Sequence, residues 1–185
     1  MPGPLNLKIR HAKQVAFWLS VYAGALALYV PAAEPPSEYD VKAAFLLNFV
    51  KFVEWPQAAF ASANSPITIC VLGTDPFGRI LDQLVEGETV NGRKVAVRRM
   101  SDPPAPKTCQ LVFVEGTEKE AARAASAVSR GVLTVGEGER FVRDGGIIGF
   151  VIENRRVRFD INRRAAETAG LTLSSKLLSV ARAVL

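Results

Sequence analysis

Histidine is almost missing from this sequence. The one copy, His11, lies within the first 33 residues, which read as a removable leader, so the expected mature chain has none. Without imidazole there is no Ser-His-Asp or Cys-His catalysis, no histidine-ligated zinc and no side-chain base whose ordinary pKa sits near neutrality. Chemistry resting on aspartate, glutamate or lysine is disfavoured by this and not forbidden. Cysteine is scarce too, with only Cys70 and Cys109 present. Two thiols without histidine do not build a zinc site, so neither a metal nor a cofactor is expected. Acidic residues are absent from positions 1–33, which hold Lys8, Arg10 and Lys13. The net charge of +5 therefore drops to +2 over 34–185, where 20 basic residues face 18 acidic ones. Most of the basicity that would suggest nucleic acid belongs to the leader.

What is present is a chain of 185 residues, 49% apolar and 22% charged, which is room for one ordinary domain with a real core. A basic stretch at 8–13 precedes a mostly apolar run at 15–30 and then Val30-Pro31-Ala32-Ala33. That order is a secretory signal, with cleavage expected after Ala32 or Ala33. An uncleaved anchor is the main alternative and a buried N-terminal helix a lesser one. The run is short of the roughly 20 residues that span a bilayer comfortably, and Ser20, Tyr22 and Gly24 dilute it. Export followed by a single domain over 34–185 is the expected organisation.

A helix is expected over 38–54, stopping at Trp55-Pro56. Val41, Ala44, Phe45, Phe49 and Phe52 form one apolar stripe, and Leu46, Leu47, Val50 and Val53 a second. Two stripes fit a helix buried between layers, or one shared with a second subunit or partner; Leu46, Phe49 and Val50 are the candidate interface residues under the second reading. Continuous β-branched runs at 67–72, 109–114 and 132–135 look like parallel strands covered on both sides, with a further strand at 94–99. Helical patterns at 77–85 and 117–129 alternate with them. The expected fold is α/β: an open, mostly parallel sheet flanked by helices. A short helix is expected over 139–144. A C-terminal antiparallel hairpin follows, 147–153 and 156–161 about Asn154-Arg155. Helical pieces at 163–169 and 174–184 finish the chain, with Ser174 or Thr172 as a cap.

Leu72-Gly73-Thr74-Asp75-Pro76-Phe77-Gly78 follows a strand and opens a helix, where phosphate loops sit in α/β proteins. It lacks both the Lys-Ser/Thr of a Walker loop and the GxGxxG fingerprint. The plainer reading is a turn with Asp75 capping the helix and Pro76 at its first position. A ligand crevice at the strands' carboxyl ends is the alternative, lined by Gly73, Thr74, Asp75, Glu115, Gly116, Thr117 and Gly136. In an oxidising compartment Cys70 and Cys109 are expected to pair, the alternative being two buried thiols. Arginines at 155, 156, 158, 163 and 164 form a basic run, ordinarily a solvated face, otherwise suited to an acidic protein surface or anionic headgroups. Ser174-Ser175-Lys176 is a poor Ser-Lys dyad, because neighbours on a helix do not face each other.

The run Ala43-Ala44-Phe45-Leu46-Leu47-Asn48-Phe49-Val50-Lys51-Phe52-Val53-Glu54-Trp55-Pro56 is followed by Ile69-Cys70-Val71-Leu72-Gly73, Asp75-Pro76-Phe77-Gly78 and Val90-Asn91-Gly92-Arg93. Cys109, Val132-Leu133-Thr134-Val135 and Gly145-Gly146-Ile147-Ile148 continue the order. Together these resemble the YfiR-like periplasmic proteins over essentially the whole expected mature chain. The resemblance implies a periplasmic, non-enzymatic repressor of an inner-membrane diguanylate cyclase. It would bind the cyclase's periplasmic sensor region and so restrain cyclic di-GMP production and biofilm formation. It also implies a homodimer and a bridge between Cys70 and Cys109. The chain departs from some members in lacking a second cysteine pair and in carrying Gln110 where histidine is common. A small-ligand-binding protein using the carboxyl-end crevice is the main alternative, and a hydrolase using Asp75 or Lys176 a further one.

Overall fold

The computed structural model describes residues 35–116 and 130–185. The expected leader at 1–33 and helix at 117–129 lie outside the described residues, as does Thr117. Helix α1, Glu38–Phe52, starts in a capping box: the Asp40 amide donates to Ser37 Oγ at 3.2 Å and the Ser37 amide to Asp40 Oδ2 at 2.8 Å. Glu38 and Asp40 in its first turn and Lys51 in its last favour the helix dipole. The helix ends two residues before the expected 54, because Val53–Glu54 leaves as β1 and pairs antiparallel with β9, Thr172–Leu173.

The main sheet contains β2 (Ile67–Leu72), β3 (Thr89–Val90), β4 (Arg93–Met100), β5 (Leu111–Val114), β6 (Leu133–Glu137), β7 (Ile148–Glu153), β8 (Arg156–Ile161) and β10 (Ala183–Val184). Their order is β10-β8-β7-β6-β5-β2-β4-β3. The run from β4 through β2, β5 and β6 to β7 is parallel, and β7–β8 is the antiparallel hairpin. Its turn residues Asn154 and Arg155 have φ of 50° and 59°, the left-handed pair that matches strand twist.

Alternate side chains of β2 explain its unbroken apolar run. Ile67, Ile69 and Val71 join one core with α1, α2 (Arg79–Val85) and Leu177 of α5 (Ser175–Val180). Cys70 and Leu72 join a second core with Phe141 and Val142 of α3 (Glu139–Arg143). Both faces of β2 and β5 are buried, as continuous apolar strands require, whereas β4 near the sheet edge is only partly buried.

Two expectations need correction. Leu46, Phe49 and Val50 are 0% exposed and lie inside the first core. Of the two readings of α1, burial is therefore the one the structure has, and these residues offer no surface to a partner. The final helix does not continue to 184: α5 stops at Val180, and β10 pairs in parallel with β8. Arg182 fixes this exit, its amide donating to Phe159 O and its guanidinium reaching both Asp160 oxygens at 2.8 and 2.5 Å. Edge pairing thus overrides the helical pattern. Helix α4, Arg163–Thr168, is capped by Asn162, and Ser174 caps α5 as expected.

Candidate functional site

The loop after β2 sits at the carboxyl end of the sheet, as its sequence suggests. Gly73, at φ +96°, donates to Met100 O, and a side chain there would meet Glu115 O at 3.0 Å. Asp75 does not cap α2. Its Oδ1 accepts from the Phe77 amide at 2.8 Å, closing a local turn, and its Oδ2 accepts from Arg99 Nε at 2.6 Å. The helix begins later, at Arg79 after Gly78, without a side-chain cap. Arg99 also grips both Asp82 oxygens and donates to Gly78 O, which ties β4 to the loop and the first turn of α2. Those bonds hold the Arg99 charge firmly and, through the Asp82 hydrogen bond, depress the Asp82 pKa. The loop is thus clamped by Arg99 of β4, held between Asp75 of the loop and Asp82 of α2. Thr74 stands exposed beside it.

Deeper in the same end lies a cluster that reading the sequence missed. Lys42 is 0% exposed, yet its Nζ is 2.5 Å from Glu38 Oε1 and 2.6 and 2.8 Å from the two Glu137 oxygens. The ammonium also lies 4.5 Å from the Tyr39 ring centre, within cation–π range. Burial works against its charge, but the hydrogen bonds it donates to Glu137 and Glu38 prevail and raise its pKa. Glu115, just past β5, is raised by burial first and by the Glu137 carboxylate second, with Lys42 partly offsetting. Its Oε2 is buried with no hydrogen-bond partner among the described residues. Burial and then Glu137 also raise Tyr39. Lys42 looks in the sequence like a polar interruption of an apolar helix. The i, i+4 spacing of Glu38 and Lys42 was the visible signal; the tie to Glu137 depends on the tertiary fold.

A cavity of about 330 Å³ opens beside Lys42 and Glu137, at the lower end of the range of small-molecule sites. It is walled by Glu139, Phe150, Ile152 and Arg182. Of the proposed crevice residues, the structure brings Gly73 and Glu115 together and engages Asp75 elsewhere. Among the described residues no cluster of His, Cys, Asp and Glu is placed to hold a metal. No described helix is long and apolar enough to cross a membrane. Lys176 stands exposed on α5, and Ser174 Oγ is taken up accepting from the Leu177 amide.

Cys70 and Cys109 form a disulfide with Cα atoms 5.9 Å apart. Beside it Gln110 is 1% exposed. Its side chain accepts from the Thr68 amide and donates to Ala59 O, both at 2.9 Å, while its own carbonyl accepts from Trp55 Nε1. Gln110 therefore ties three segments around the bridge.

A family model described as YfiR/HmsC-like matches residues 39–182. The chain belongs to the YfiR/HmsC-like family. That family is periplasmic and regulatory rather than catalytic, which suggests a regulator of a diguanylate cyclase. No curated protein matches the chain. The matched span takes in α1 from Tyr39 onward, every strand of the sheet except β10, the disulfide, and Lys42 with Glu115 and Glu137.

Proposed function

We propose that this chain is exported, loses residues 1–33, and represses an inner-membrane diguanylate cyclase by binding its periplasmic sensor region. Repression lowers cyclic di-GMP and biofilm formation. The family match over 39–182 carries this reading. The buried Cys70–Cys109 bridge supports export, since such bridges persist in oxidising compartments. Binding acts by favouring the cyclase's off state and shifts that equilibrium only by the difference in affinity for the two states. The repressor works without turnover and as a homodimer.

The test is capture of the sensor region from a detergent-solubilised inner-membrane diguanylate cyclase by the immobilised mature chain. Retention of that cyclase, and not of a membrane protein lacking the sensor region, is expected; equal retention of both, or of neither, contradicts the reading.

A second reading, a small-ligand-binding protein, is favoured by one observation: the Oε2 of Glu115, which has no partner among the described residues and which a ligand N–H would satisfy. Thermal shift against amino acids and amines tests it. A saturable rise in melting temperature that Glu115→Gln abolishes supports it, and no rise counts against it.

A further inference from the structure

The basic run at the hairpin borders a groove that neither the family match nor the carboxyl-end cluster accounts for. Helix α1 and the β7–β8 hairpin enclose a concavity of about 510 Å³, floored by Val41, Phe45 and Val157 and rimmed by Ile152, Arg155 and Arg156. Ile152 is 53% exposed, a large apolar side chain in water. Val157 pairs with it across the hairpin, placing both on the same sheet face.

The charges at this groove do not cancel. Glu38, on its wall, is engaged by Lys42, and Glu153, opposite Arg156 in the hairpin register but not within ion-pair distance of it, lies 4.0 Å from Arg182. Arg155 and Arg156 have no ion-pair partner among the described residues and remain exposed. Arg155 also holds φ of 59° in the turn, where glycine would fit without strain. The groove therefore presents surplus positive charge around an apolar floor.

We propose that this groove docks an acidic segment of the partner protein, with one bulky apolar side chain seated on Val41, Phe45 and Ile152 and carboxylates meeting Arg155 and Arg156. Charge complementarity selects the acid, and the concave floor selects a side chain over a flat bilayer. The inference rests on the cyclase-repressor reading and locates its contact surface.

The test measures binding of the mature chain to the full-length cyclase in nanodiscs of neutral lipid. The paired variant Arg155→Glu with Arg156→Glu is compared with Arg79→Glu with Arg98→Glu, which changes net charge equally at exposed sites away from the groove. Unchanged melting temperatures confirm folding. Hairpin reversal is expected to weaken binding roughly tenfold, and Ile152→Ala by a similar factor, with the distal pair near wild type. Wild-type binding that both hairpin variants retain overturns the groove while leaving repression intact, as does equal weakening by the distal pair. Binding to anionic vesicles lost on hairpin reversal while cyclase binding persists assigns the patch to lipid. A wild-type dimer that becomes monomeric on hairpin reversal while cyclase binding persists assigns it to a second copy. Either result overturns the proposal. No cyclase binding by the wild type removes the repressor reading and this inference together.

Discussion

Lys42 and Glu137 are 95 positions apart in sequence, yet both Glu137 oxygens lie within 2.8 Å of the lysine ammonium. The pair joins α1 to the end of β6, under the Phe150 ring, where an uncompensated charge is poorly tolerated. Lys42→Met is expected to lose about 2–3 kcal/mol, less than a fully enclosed pair would, because the Glu137 side chain is 33% exposed. Adding Glu137→Gln to that variant recovers a substantial part of the loss. Urea denaturation measures both, and a single variant as stable as wild type contradicts the assignment.

Glu115 gives a pH dependence of definite sign. Its folded pKa is raised, so the folded state holds the proton more tightly than the unfolded state does. Its stabilising contribution is full below the ordinary value of 4.5 and is lost as pH rises through the raised folded value. Glu115→Gln should therefore gain on wild type as pH climbs from acid to neutral. Parallel pH–stability curves for the two proteins would contradict this.

The disulfide closes a span of 39 residues. Chain-entropy arguments assign such a loop about 4 kcal/mol. Cys70→Ala with Cys109→Ala, or reduction of wild type, should lower stability by about 3–4 kcal/mol. A free-thiol assay on denatured, unreduced protein checks the bridge itself; two reactive thiols would contradict pairing.

Phe141 lies between two glycines. A Cβ on Gly146 would sit 2.2 Å from its ring, and one on Gly136 2.6 Å. Gly146→Ala should cost about 2–3 kcal/mol through overpacking, and Phe141→Leu should recover part of it. Independent, additive losses in the double variant would contradict direct contact.

The parallel strands were legible because burial on both faces leaves no polar alternation to confuse, and β2 matches its expected bounds 67–72. The hairpin was legible from Asn154-Arg155 between apolar stretches, and the bridge from two cysteines in a chain whose leader reads as a secretory signal. Gly145-Gly146 was visible as a motif, but its reason, the Phe141 ring, comes from another segment. The candidate site was less legible. Asp75 has a familiar capping context, and only the distant Arg99 shows that it serves a clamp. Leu46, Phe49 and Val50, drawn from the two stripes of α1, show the converse: apolar stripes cannot say whether their cover is the same chain or another. The strand β10 went unseen because two residues held by Arg182 carry no period of their own.

The most direct measurement is cyclic di-GMP synthesis by inner-membrane vesicles carrying the full-length cyclase, with its periplasmic side accessible, titrated with the purified mature chain. The account predicts a saturable fall in synthesis rate that requires the cyclase's periplasmic region. A rate unchanged up to saturating protein, or an equal fall for a cyclase lacking that region, would contradict it.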